Sequence, residues 1–155
     1  MEIKYSKDIP SKIEMVINGI LFRYNVAETS MAEIETLWKN KHTEIVEESI
    51  NEAFIISHKY KYNELRIPQG RIKYDSVVED IIRDKYSTDE MEAITNNMNA
   101  VVSEFFATLV SDGIVKATKY LVDSVDSDKM QRFKEMQEWR ALAKKEAKSI
   151  FKNKL

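Results

Sequence analysis

Apolar residues recur at helical spacing along most of this chain. Ile13, Val16, Ile17, Ile20, Leu21 and Tyr24 fall three or four apart, which is one face of a helix with about 3.6 residues per turn. Ser11-Lys12-Ile13-Glu14 precedes them in capping-box form, a hydroxyl and a carboxylate placed to satisfy free amides of a first turn. The pattern predicts a first helix over about 11–25, after an extended arm at 1–8. Ser30-Met31-Ala32-Glu33 repeats the signature and predicts a long helix to about 60. Ile34, Leu37 and Trp38 form its first stripe. Ile45, Val46, Ser49, Ile50, Ala53, Phe54 and Ser57 form its second, and the polar run 39–43 is a place for a kink or break.

The period changes at Leu65. From Leu65 to Tyr74, apolar and charged residues alternate on both sides of Pro68-Gln69-Gly70. Period-two alternation around a Pro/Gly turn predicts a short β-hairpin over about 64–75. Leu65, Ile67, Ile72 and Tyr74 would share its apolar face, and a single hairpin needs a surface to lie on.

Helical spacing then returns. Ser76-Val77-Val78-Glu79 opens a helix over about 77–86, and Ser87-Thr88-Asp89-Glu90 opens another. Met91, Ile94, Met98, Val101, Val102, Phe105, Phe106 and Leu109 make that one amphipathic, and Ser111-Asp112-Gly113 interrupts it. Residues 114–125 read as resumed helix with Ile114, Leu121, Val122 and Val125 inward; a strand is the alternative. Ser127 or Asp128 caps a last helix over about 128–152, with Met130, Phe133, Met136, Trp139, Leu142, Ala143, Ala147, Ile150 and Phe151 at its apolar positions. The expected fold is therefore mainly α: an amphipathic helical bundle, one short β-hairpin at 64–75, and a long C-terminal helical arm. It reads as a single domain with a body at 1–127 and a basic arm at 128–155.

Composition supports this expectation. Gly is 3 and Pro is 2 in 155 residues, few turn-formers for a fold of many short strands. Hydrophobic residues are 43% and charged residues 32%, a balance that suits a packed core. The chain has no Cys, so disulfides, thiolate metal sites and thiol catalysis are excluded. Its first twenty residues carry charge throughout, unlike a signal peptide. No apolar stretch approaches the roughly 18 residues of a membrane span, and no membrane partner is expected.

Chemistry is hard to find. His42 and His58 are the only histidines, and neither has a second ligand at metal-binding spacing. Carboxylate pairs such as Glu47-Glu48 and Glu79-Asp80 point about 100° apart on a helix and read as solvated faces. Three scattered glycines cannot form a phosphate loop, and Ser111-Asp112-Gly113 lacks the surroundings of a nucleophile elbow. No catalytic site, cofactor or metal is expected.

Charge is segregated instead. Residues 129–155 hold nine Lys/Arg and three Asp/Glu, a local +6, so at a net charge of −2 the remainder is −8. Such an arm could be an ordinary solubilised helix. It could also dock on an acidic protein surface, with Trp139, Ile150 and Phe151 as apolar anchors, or touch nucleic acid.

The order of elements resembles the portal adaptor (head-to-tail connector) proteins of short-tailed bacteriophages. The matching stretches are Ile13 to Val26, Ile34 to Tyr62, Arg66-Ile67-Pro68-Gln69-Gly70-Arg71-Ile72, and Val101-Val102-Ser103-Glu104-Phe105-Phe106. The second helix lacks the Trp usual near its end in that family. The resemblance implies a virion structural protein that packs into a homo-oligomeric ring, twelve-fold in that family, through a heterologous interface. Its partners would be the portal and tail proteins, and DNA would pass through the lumen without sequence-specific binding. Interface residues would be Ile67, Pro68, Ile72 and Tyr74 on the hairpin. On the arm they would be Trp139, Lys144, Lys145, Lys148, Ile150, Phe151 and Leu155. Two other classes remain open: a small helical protein-binding inhibitor of the anti-defence or immunity type, and a nucleic-acid-binding module using the basic helix.

Overall fold

The computed structural model describes residues 1–41, 49–125 and 127–152. His42, the Ile45/Val46 stripe, Glu47-Glu48 and Leu155 lie outside them. Among the described residues the fold is α+β, a four-stranded antiparallel sheet with six helices. That corrects the expected mainly-α bundle with one hairpin.

The correction is largest at the N-terminus. The strands are β1 (Ile3–Ser6), β2 (Ile13–Val16), β3 (Gly19–Glu28) and β4 (Tyr60–Pro68), in the order β1-β4-β3-β2. The expected helix over 11–25 is thus the β2–β3 hairpin. Its turn is Ile17-Asn18, closed by the Val16/Gly19 pair, with Asn18 in the left-handed region at φ 61°. Asn tolerates that conformation better than other side-chain-bearing residues. Ser11 caps no helix; its hydroxyl donates to the Ile13 carbonyl at 2.9 Å. The expected hairpin at 64–75 is also absent. Leu65 to Pro68 end β4, a 3-10 turn follows at Gln69–Arg71, and helix α3 (Tyr74–Lys85) begins at Tyr74.

Alternation explains the strands. On β3, Ile20, Phe22 and Tyr24 are buried, and they face Ile67, Leu65 and Asn63 of β4 in register. Stacked rings of Phe22 and Tyr24 lie 5.7 Å apart. Asn63, buried among them, accepts from Asn25 Nδ2 at 3.3 Å and donates to the Glu2 carbonyl at 3.4 Å, so its desolvation is compensated. The β3–β4 register shifts between Tyr24 and Ala27, a bulge with Asn25 at φ 54°. The opposite face carries a ladder of charge across all four strands. Lys4 of β1 and Arg23 of β3 both bind Glu64 of β4, at 2.6 and 2.7 Å, and Arg23 also binds Glu14 of β2 at 2.6 Å.

The expected helix from 30 to 60 is α1 (Met31–Lys41) and α2 (Glu52–Ser57), with β4 starting at Tyr60. Ser30 and Glu33 form the predicted cap of α1: each backbone amide bonds to the other's side chain, at 3.0 and 3.3 Å. Asn51 caps α2 by accepting from the Phe54 amide at 3.0 Å. Ile34, Trp38 and Phe54 make a buried cluster. His58 closes it, its ring stacked on Phe54 at 4.0 Å and its Nδ1 2.9 Å from the Phe54 carbonyl.

The chain divides into two compact units, Met1–Asp80 with Glu146–Leu155, and Ile81–Lys145. The second contains α4 (Thr88–Asp112) and α5 (Ile114–Val125), together with the end of α3 and most of α6 (Asp128–Phe151). Ser87 and Glu90 form the predicted capping box of α4. Ser127 rather than Asp128 caps α6, accepting from the Met130 amide at 3.4 Å. Residues 114–125 are helix, not strand. Ser76 lies inside α3, not at its cap.

Gly19 is fixed by space, not by its dihedrals. A Cβ there would collide with the Ile67 carbonyl oxygen and lie 3.1 Å from Pro68 Cα, whereas at Gly70 it would meet nothing within 4 Å. Gly19→Ala is expected to cost about 1–3 kcal/mol, read as a lower urea midpoint, and Gly70→Ala close to nothing. Equal effects would show that β3 does not approach β4 this closely.

Acid should loosen the α1 cap. The Lys61 ammonium, then the Ser30 amide and hydroxyl, hold the Glu33 carboxyl down at about 2, from an ordinary 4.5. A carboxyl depressed by folding stabilises the fold above its unfolded value and loses that stabilisation as pH falls toward the folded one. Between about pH 4.5 and 2 the wild type should therefore lose more of its urea midpoint than Glu33→Gln. Parallel curves would exclude this carboxylate as a contributor.

Candidate protein interface

The residues expected to form an interface are largely occupied within the chain. Ile67 is fully buried in β4 opposite Ile20, while Pro68 at the strand end is exposed. Ile72 is half-buried beyond the 3-10 turn. Tyr74 is also half-buried, and its ring meets that of Phe151 edge-on at 6.4 Å. Ile150 is buried. Trp139 is buried and donates its indole N–H to the Ile81 carbonyl at 3.0 Å. Lys85 lies over the same ring at 4.7 Å, a cation–π contact. Lys144, Lys145 and Lys148 are exposed, and Lys144 borders a shallow recess with Ile82, Gln137, Arg140 and Ala141. The structure thus brings Tyr74 and Phe151 together, and Trp139 belongs to a core.

A different surface stands out. Along α4, Ile94 and Val101 are buried, with Met98, Phe105 and Leu109 half-buried beside them. Val102, Phe106 and Val110 follow one another at four-residue steps on a neighbouring stripe and are exposed, Val110 at 88%. Gly113, at φ 85°, ends α4, and the Ala117 amide begins α5 by donating to the Gly113 carbonyl at 3.2 Å.

Helix α5 packs on α4 and buries its less apolar side. Ala117 is fully buried, with Tyr120 and Ser124 half-buried on the same turn positions. Ile114, Leu121, Val122 and Val125, expected inward, face outward together with Val115. Val115 is 80% exposed and Val122 63%. Ile114, Leu121 and Val125 share one stripe by helical spacing, and Val115 and Val122 lie beside it. A small residue at 117 lets α5 approach closely with its Ala/Tyr/Ser side, which leaves the larger aliphatics no inward space. The sequence signal for this face was strong amphipathicity; what it could not give was the direction.

Around this apolar surface the charges nearly cancel. Residues 101–125 carry Glu104, Asp112 and Asp123 against Lys116 and Lys119, and Lys116 sits 3.7 Å from Asp112. A near-neutral aliphatic face attracts another protein surface, not a polyanion.

Among the described residues, no group of three or more His, Asp or Glu is arranged to hold a metal ion, and no helix is long and apolar enough to cross a membrane. Compared with protein-family models, curated proteins and solved structures, the chain matches none.

Trp139→Phe keeps an aromatic ring in the core and removes the indole donor. It should remove the side-chain donor to the Ile81 carbonyl, which keeps its place in the α3 ladder, and cost about 0.5–1.5 kcal/mol. An unchanged urea midpoint would mean that this bond does not hold α3 to α6.

Proposed function

We propose that this protein is a structural subunit of a larger protein assembly, joined to its neighbours through the outward apolar face of α4 and α5. One observation carries the proposal: Ile114, Val115, Leu121, Val122 and Val125 face solvent on a helix whose smaller side is the packed one. Burying an aliphatic side chain of this size is worth about 1.5–3 kcal/mol. Several of them on one face supply what a specific contact needs, and left exposed they make the chain aggregate.

A ring-forming adaptor of a phage head-to-tail connector, located in the virion, is the particular assembly we put to test. Its support is the layout likeness at Val101–Phe106, on α4, and the exposed lysines of α6 available to an acidic portal surface. The stretches 13–26 and 66–72 lend it none, because they form sheet and a 3-10 turn. A ring needs a heterologous contact that rotates to closure, and the α4–α5 face would be one side of it.

Native mass spectrometry of the full chain tests this. The wild type should give a closed oligomer of defined size, and the double variant Val115→Asp/Val122→Asp should lose it while keeping its circular dichroism. A wild type that stays monomeric from micromolar to near-millimolar concentration overturns the reading. So does an oligomer indifferent to the two aspartates.

A further inference from the structure

Strand β2 is an edge of the sheet, and its four residues, Ile13–Val16, carry no proline, bulge or inward charge. Edges are ordinarily guarded by an inward charge, a proline or a bulge. Here the two residues on the core-side face of β2 are Ile13 and Met15, paired with Phe22 and Ile20 of β3. Met15 is 78% exposed. Ile9 and Ile17, just outside the strand, are exposed as well, Ile17 at 82%. The Arg23 amide donates to the Lys12 carbonyl at 2.8 Å. In an antiparallel pair that phase points the amides and carbonyls of 12, 14 and 16 at β3, and those of 13 and 15 away from the sheet.

We propose that β2 pairs with β2 of a second copy of this chain, antiparallel about a two-fold axis through Ile13. This goes beyond the proposed function and uses a separate surface. The register is chosen by complementarity. With Ile13 opposite Ile13 of the other copy, Lys12, whose carbonyl continues the β3 ladder, stands opposite Glu14 on both sides of the axis. Centring the axis on Glu14 would set carboxylate against carboxylate, which is unfavourable in directly opposed strand positions. Centring it on Met15 would leave Lys12 facing Asn18. Of these three registers, only the first gives both charges an opposite partner.

Both charged side chains have room for the new contact. Lys12 already binds Glu146 at 2.7 Å and Glu14 binds Arg23 at 2.6 Å, yet their side chains remain 43% and 52% exposed. The Ile13 carbonyl, which accepts from the Ser11 hydroxyl, keeps a second lone pair for the partner's amide. The paired sheets would run on as eight strands.

The test is charge complementation in the Val115→Asp/Val122→Asp background, where the α5 face cannot contribute. In that background the chain should dimerise by analytical ultracentrifugation. Adding Lys12→Glu sets carboxylate against carboxylate on both sides of the axis, and adding Glu14→Lys instead sets ammonium against ammonium. Each should weaken its own dimer by roughly tenfold, as two reversed cross-strand pairs imply. Mixing the two variants should restore a heterodimer, because every opposed pair then joins a carboxylate to an ammonium. A mixture that stays monomeric overturns the proposal, as does a Lys12→Glu chain that dimerises as well as its parent. Misfolding cannot mimic restored heterodimerisation, and a failed α5 contact leaves the outcome unchanged.

Discussion

The pairing of β3 with β4 is the contact on which the first unit depends. These strands lie side by side at the centre of the sheet, and each holds one outer strand in place. Their shared inner face buries Ile20, Phe22 and Tyr24 against Leu65, Ile67 and Asn63. Gly19 is what lets them close at one end, since any side chain there would strike the Ile67 carbonyl. On the other face, Glu64 gathers Lys4 and Arg23, so the same pair of strands also organises the charges.

How much of this was legible depends on what each segment had to satisfy. α4 and α6 could be read because capping serines at 87 and 127 coincide with long stripes of one period. The 11–25 segment could be read two ways. Its apolar residues fit helical spacing, while Ile20, Phe22 and Tyr24 alternate. Asn18-Gly19, the last turn residue and the first of β3, is itself a hairpin signal, but the scarcity of glycine and proline weighed toward helix. Pro68 marked a real end, that of β4, but the strand it ends pairs with β1 and β3, partners about 30 to 60 residues away. Local pattern carries no information about such partners. Of the candidate site, the apolar residues of α5 were legible and their outward direction was not, because direction is decided by the close fit of Ala117, Tyr120 and Ser124.

The two surfaces left uncovered differ in kind. The α4–α5 face offers broad aliphatic area with little net charge, which favours contact without dictating geometry. The β2 edge offers little area but a fixed register, written in hydrogen bonds and in Lys12 and Glu14. An assembly that used both would take strength from one and alignment from the other. The basic α6, with Lys144, Lys145 and Lys148 exposed, remains a third and purely electrostatic handle.

The bulge-bearing sheet also sets an order of events during folding. The β2–β3 hairpin closes through a two-residue turn, and hairpins of that kind form within about 1–10 microseconds. β1 must wait, because Ile3 pairs with Asn63, and long loops are closed late. A chain emerging from the ribosome therefore presents a finished hairpin with both of its edges bare until β4 arrives to cover one. The edge that β4 never covers is β2, so whatever meets that strand has the whole of synthesis in which to do so.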